Sequence, residues 1–308
     1  MGLLAILSAG TLALATPAPL PPVETGPGGI DIVKADIDRH DRMTVPVRIG
    51  HNGGQAGPFD FLVDTGAERT VLARDIATRL QLPMSGKGLL IGIAGTQNVD
   101  LVEIDEINLG RRSFYGLTAP LLDGYNIGAD GIIGLDSLQD QRVLLDFARK
   151  RMTIGDAIQL GGSRGFEIVV QARRRSGQLI MTNALIDGVR TDIVIDTGSD
   201  TSIGNRALQK ALARRHKGET TELQSVTGQT IIADLAMAKT VKLGTMTMSN
   251  SMLVFADTPA FDKLELVKRP AMFMGMNQLK LFRRVAIDFS TKRILFDLPD
   301  NAEIPIRF

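Results

Sequence analysis

A tripeptide that occurs twice, each time at the end of an apolar run, constrains this chain more than any other feature. Phe61-Leu62-Val63 leads into Asp64-Thr65-Gly66, and Ile193-Val194-Ile195 leads into Asp196-Thr197-Gly198, with the two aspartates 132 positions apart. Further landmarks follow each triplet in the same order. Ile93-Ala94-Gly95-Thr96 matches Val226-Thr227-Gly228-Gln229, and Leu109-Gly110 matches Leu243-Gly244. Ile132-Ile133-Gly134 matches Phe273-Met274-Gly275, and Leu144-Leu145-Asp146-Phe147 matches Ala286-Ile287-Asp288-Phe289. One match is chance, but five in order at slowly drifting offsets mark two copies of one unit. The period is far longer than a solenoid repeat, so each copy is a domain-sized body. Two lobes about an approximate two-fold axis are expected, and 308 residues suffice for two domains of ordinary size.

The texture inside each copy is that of an all-β protein. Short β-branched segments alternate with Gly, Asp and Asn turns, and helical periodicity is scarce. Two modest helices are expected, at 73–80 and at 205–215, the second with Asn205 as N-cap. The glycines between Gly155 and Gly165 divide the copies into a first lobe at 30–158 and a second at 159–308. Before them, 1–15 reads as an export signal, apolar and ending in Ala13-Leu14-Ala15, although no Lys or Arg precedes it. It is short of the roughly 20 residues that span a bilayer. Residues 16–29, rich in Pro and Gly, read as a linker.

Composition narrows the chemistry. There is no cysteine, which removes disulfides, thiolate metal sites and cysteine nucleophiles. His40, His51 and His216 lie far apart without ligand spacing, so no metal and no cofactor are expected. A formal charge of +1 gives no electrostatic reason for a nucleic-acid partner. The runs Arg173-Arg174-Arg175 and Arg214-Arg215-His216 read as solvated surface.

An aspartate at the end of a buried apolar strand is costly unless it is paired or hydrogen-bonded. Thr supplies a hydroxyl that both donates and accepts, and Gly permits a sharp turn and close approach of another segment. Two such units across a pseudo-two-fold bring two carboxylates into one cleft. At about 3 Å separation the pair cannot both ionise easily, so it shares a proton. The ionised member takes a proton from a water, and the protonated member donates to a carbonyl oxygen. That is hydrolysis without metal or covalent intermediate. Ser199 stands where the first copy has Ala67, and a hydroxyl there is expected to bond the carboxylate and lower its pKa. The expectation is a pH optimum in the mildly acidic range. Asp146 and Asp288 also repeat, and they read as hairpin turns.

Asp64-Thr65-Gly66 with Ile132-Ile133-Gly134, and Asp196-Thr197-Gly198 with Phe273-Met274-Gly275, resemble the paired motifs of the pepsin and retropepsin superfamily of aspartic proteases. The resemblance runs from Met43 to Leu298. It implies two similar retropepsin-like β-barrel lobes with a central active-site cleft, and Asp64 and Asp196 as the catalytic pair. It implies that Thr65 and Thr197 cross-brace the loops and that Gly66 and Gly198 face substrate. It implies a hairpin flap over the cleft, for which Gly92-Ile93-Ala94-Gly95 and Val226-Thr227-Gly228 are the candidate tips. Two departures are clear. Leu135 and Met276 stand where retroviral enzymes have an Arg, and Tyr115 and Tyr125 lie beyond the flap tip where pepsin-type enzymes carry a tyrosine. The picture is similar to duplicated retropepsin-like proteases of bacterial genomes. The implied protein is an exported, periplasmic or secreted aspartic endopeptidase, a monomeric pseudo-dimer acting on extended polypeptide. A catalytically silent peptide-binding protein on the same fold, and a structural β protein, are the competing readings.

Overall fold

The structure, a computed structural model, describes residues 29–51, 53–212 and 219–299, together with the backbone of the two-residue strand Ala5–Ile6. Apart from Ala5–Ile6, the expected export signal lies outside these residues, as do nearly all of the linker and Arg214, Arg215 and His216. The chain is 55% strand and 11% helix, with helices too short to form a layer of their own. The fold is therefore all-β, and its cores are enclosed by sheets curling on themselves.

Each copy closes a six-stranded barrel, and the two rings share one topology. In the first, Met43–His51 pairs with Gly54–Val63, which runs parallel to Gly131–Ile133. The ring continues through Val71–Ala73 and Arg112–Leu122 to Gly95–Leu109, which pairs back on Met43–His51. In the second, Gln178–Ile186 pairs with Val189–Ile195, which runs parallel to Ala271–Met274. Ile203–Gly204, Met246–Phe255 and Thr230–Leu243 close that ring on Gln178–Ile186. Closure leaves no ring strand with an open edge, and it explains the uninterrupted apolar runs before each aspartate. Phe61, Leu62, Val63, Ile193, Val194 and Ile195 are all buried, since both faces of these strands meet apolar neighbours.

The remaining strands join the copies. Ile168–Arg175, Arg293–Asp297, Arg284–Asp288, Arg142–Asp146, Arg151–Gly155 and Asp31–Lys34 form an antiparallel run with three strands from each half. At its centre Arg142–Asp146 pairs with Arg284–Asp288, and the buried Arg142 guanidinium donates to Asp288 Oδ2 at 2.7 and 3.2 Å. Asp146 and Asp288 also close their hairpin turns, accepting from the backbone N–H of Arg149 and of Thr291 at 2.9 Å each. These aspartates serve turns and sheet, as the sequence reading expected.

Both expected helices form. One spans Arg74–Arg79, and the other spans Arg206–Ala211 with the Asn205 side chain accepting from Leu208 N. No helix among the described residues is long and apolar enough to cross a membrane.

Candidate active site

The two Asp-Thr-Gly loops meet on the pseudo-two-fold axis. Each aspartate leaves its strand with its backbone N–H still bonded to the neighbouring parallel strand: Asp64 N donates to Ile133 O at 3.1 Å, and Asp196 N to Met274 O at 3.0 Å. The apolar-apolar-Gly motif is thus the floor beneath each loop. Its glycine is required by close packing. An ideal Cβ on Gly134 would collide with the Arg69 carbonyl, and one on Gly275 would lie 2.5 Å from the Thr201 carbonyl oxygen. The following residue ties the loop down, with Leu135 N donating to Ala67 O and Met276 N to Ser199 O, each at 2.8 Å.

The threonines link the lobes reciprocally. Thr65 Oγ1 donates to Ile195 O at 2.9 Å and accepts from Thr197 N at 3.4 Å. Thr197 Oγ1 donates to Val63 O at 2.6 Å and accepts from Thr65 N at 3.1 Å. Each hydroxyl uses its one donor and one acceptor site across the axis, so neither threonine leaves a buried polar group unpaired.

The carboxyls are brought together in this frame. Asp64 and Asp196 are 2% and 0% exposed, so both are cut off from bulk water. An ideal Cβ on Gly66 would lie 2.8 Å from Asp196 Oδ1 and 3.1 Å from Asp64 Oδ1, which sets both carboxyls around one point. Asp64 Oδ1 accepts from Gly66 N at 2.7 Å and Ala67 N at 3.1 Å, while Asp196 Oδ1 accepts from Gly198 N at 3.1 Å. Burial pushes Asp64 up to about 6, against the pull of those backbone donors and of the Arg42 cation. Burial, followed by the charge of Asp64, pushes Asp196 well above the usual carboxylate range. Such a pair titrates as a unit, and at intermediate pH it holds one proton and one negative charge.

Ser199 departs from expectation. Its hydroxyl donates to Thr201 O at 2.8 Å and closes the local turn, so it is not spent on the Asp196 carboxylate. What Ser199 offers Asp196 is its backbone N–H.

The candidate flap tips also meet. Met84–Gly92 and Gly95–Leu109 form a long hairpin with Ile93 and Ala94 at its tip. Thr220–Gln224 and Thr230–Leu243 form the second, with Val226, Thr227 and Gly228 at its tip. Ile93 is fully buried in an apolar cluster whose other fully buried members, including Ile180, Leu223 and Phe261, come from the second copy. An ideal Cβ on Gly92 would lie 2.7 Å from Ser225 Oγ, so the hairpins touch tip to tip. Gly228 packs equally closely on Asn126 of the first copy. Ala5–Ile6 pairs antiparallel with Ile91 and Gly92 at the free edge of the first hairpin.

Several neighbours were not singled out in the sequence. Thr70 Oγ1 donates to Asp136 Oδ1 and accepts from Gly134 N, and Ser202 Oγ holds Gly275 N in the second copy. Glu68 pairs with Lys263 across the lobes at 3.5 Å, and Asp200 faces His40 at 3.5 Å. Gln178 donates to the Gly66 carbonyl at 2.7 Å. Among the described residues no cluster of three or more His, Cys, Asp or Glu side chains could hold a metal ion.

A search of curated proteins returned no match. The family model for aspartyl protease matches twice, over residues 45–137 and again over 182–277, one match on each barrel and its loop. The chain therefore belongs to the aspartyl protease family, as a duplicated, single-chain protein of its retropepsin-like kind.

Proposed function

We propose that this chain is an aspartic endopeptidase whose catalytic pair is Asp64 and Asp196. The observation that carries the reading is the placement of two buried carboxyls around one point between threonine-linked loops. A water between them loses a proton to the ionised carboxylate as its oxygen bonds the carbonyl carbon. The protonated carboxyl gives its proton to the carbonyl oxygen. Collapse of the resulting diol breaks the C–N bond. The nitrogen takes the proton held by the first carboxyl, and a diol hydroxyl returns one to the second. Atoms and charge balance, and the dyad is restored.

The substrate is an extended polypeptide lying between the dyad and the two hairpins, whose strands can pair with its backbone. Thr65 and Thr197 hold the loops, Gly66 and Gly198 leave room at the dyad, and the chain works as a monomeric pseudo-dimer. It acts after export, in the periplasm or outside the cell, which the apolar character of residues 1–15 favours.

The test is digestion of casein or a mixed peptide library by the purified chain. Cleavage blocked by a statine-type inhibitor, and abolished by Asp64→Asn and by Asp196→Asn separately, supports the reading. Peptide binding without cleavage in the intact chain would replace it with the silent binding protein. Fractionation of expressing cells tests the location separately.

A further inference from the structure

The pseudo-two-fold is broken beside the dyad by one buried charge. Strand register shows where. Thr44 lies opposite Leu62 and Ile180 opposite Val194, and Leu62 and Val194 each stand two residues before their aspartate. Two residues before Thr44 is Arg42, and two before Ile180 is Gln178. These are equivalent places, and both side chains are 1% exposed. One lobe carries a guanidinium there and the other a neutral amide.

The guanidinium is held firmly. Its Nε donates to Asp38 Oδ2 at 2.8 Å, and Nη2 lies 2.7 Å from the same oxygen and 3.0 Å from the Ile127 carbonyl. Nη1 is buried without a hydrogen-bond partner. Asp38 thus takes one side of the cation and leaves the other uncompensated in a low-dielectric setting, where charge acts at longer range than in water. Asp200, which also faces His40, and Asp64 both feel its charge. Asp64 Oδ1 in addition accepts from Gly66 N at 2.7 Å and Ala67 N at 3.1 Å, whereas the backbone donors to Asp196 leave its Oδ2 buried without a hydrogen-bond partner.

We propose that Arg42 is a positioning residue that keeps the dyad's single negative charge on Asp64 and leaves the shared proton on Asp196. It rests on the endopeptidase reading only for its consequence: Asp64 becomes the base that takes the water proton, and Asp196 the acid that protonates the carbonyl oxygen. The charge distribution itself does not require turnover. Gln178, lacking charge, braces the Gly66 carbonyl and exerts no equivalent pull on Asp196.

The experiment is a site-resolved ¹³C-carboxyl NMR titration of the full chain, with Asp64→Asn and Asp196→Asn used to identify the two signals. In the unaltered chain Asp64 should ionise first. In Arg42→Gln its midpoint should rise by about half to one pH unit, a fraction of what a directly paired cation does. Arg42→Lys should preserve most of the bias. Gln178→Arg should lower the Asp196 midpoint. Because Arg42→Gln strands Asp38, the double variant Asp38→Asn/Arg42→Gln serves if the single one unfolds. The proposal is overturned if Asp196 ionises first, or if Asp64 is unmoved in a folded Arg42 variant. Absence of peptidase activity with Asp64 still ionising first would instead remove the endopeptidase reading and leave this one standing.

Discussion

Gly198 of the second lobe is packed directly on the Asp64 carboxyl of the first. An ideal Cβ there would lie 2.6 Å from Asp64 Oδ1 and still closer to its other carboxyl atoms. No side chain, not even a methyl, fits without moving the carboxyl or the loop. Displacement of a reacting group by about 1 Å can cost on the order of 100-fold in rate. Gly198→Ala should therefore cut kcat/KM at least that far while the barrels stay folded. Gly66→Ala should do the same through Asp196. The check is steady-state kinetics beside circular dichroism. Near-normal activity in a folded Gly198→Ala chain would show that the carboxyl position is not what limits the reaction.

The dyad sets a pH dependence with a definite sign. Burial raises Asp64 to about 6 and Asp196 well above the ordinary value of 3.8. One negative charge on the pair is then reached only as pH climbs toward 6, so the acid limb of kcat/KM should lie near there. The expected optimum is mildly acidic to neutral, above that of an enzyme tuned for strong acid. Stability follows the opposite trend. A carboxyl whose folded pKa is raised contributes fully below its unfolded pKa and loses that contribution as pH rises through the folded value. Asparagine never ionises, so Asp64→Asn/Asp196→Asn should gain stability relative to the unaltered chain between about pH 4 and 7. Urea melts across that range measure the difference. A difference that is flat with pH would count against the raised pair.

The positions of these two residues were readable from the sequence because their signal is repetition. Each aspartate follows an apolar run and precedes a glycine motif at a comparable distance. The barrels were readable for the same reason, since apolar runs in both copies must be enclosed. Arg42 and Gln178 were hidden by geometry. Arg42 lies 22 positions before its aspartate and Gln178 only 18, because the first hairpin, Met43–His51 with Gly54–Val63, is longer than its counterpart. Without strand register the equivalence has no linear trace. The Ser199 hydroxyl failed for a different reason. A serine two residues before Thr201 can turn to a local carbonyl as easily as to a carboxylate, and here the local carbonyl holds it. The three-plus-three sheet beneath the lobes was also invisible, since pairing between distant strands leaves no pattern in either strand alone.

The threonine linkage predicts a stability effect separable from chemistry. Removing the Thr197 hydroxyl strands the Val63 carbonyl and the Thr65 N–H. An unsatisfied buried polar group costs about 1–3 kcal/mol. Thr197→Val, which keeps the shape, should destabilise the chain by about that amount or somewhat more. Thr197→Ser should retain most of the stability. Thr65→Val added to Thr197→Val should cost less than the two single effects combined, because the residues share one network. A double-mutant cycle in urea provides the number. Strict additivity would mean that the two hydroxyls do not act as a unit.

Ile93 connects the first hairpin to the core of the other lobe. It is fully buried among Ile180, Leu223 and Phe261, whereas the strands leading to it carry exposed residues such as Met84. The hairpin is thus fastened at its tip, while residues 84–87 of its first arm are exposed. A segment of this kind opens with a lower free energy than the barrels that carry it. Ile93→Ala removes several methyl and methylene groups from a closed apolar site, worth about 2–5 kcal/mol in a core. Because this loss falls on the closed hairpin more than on the barrels, amide exchange along Met84–Gly92 and residues 95–100, the part of the partner strand that lies beyond its barrel pairing, should accelerate by one or more orders of magnitude. Exchange in Gly131–Ile133 and Ala271–Met274 should change much less. KM for a peptide substrate should rise more than kcat falls, since closure over substrate would lose its anchor while the dyad stays in place. If exchange rose equally in hairpin and barrel strands, Ile93 would be an ordinary core residue and its place at the hairpin tip would have no bearing on closure.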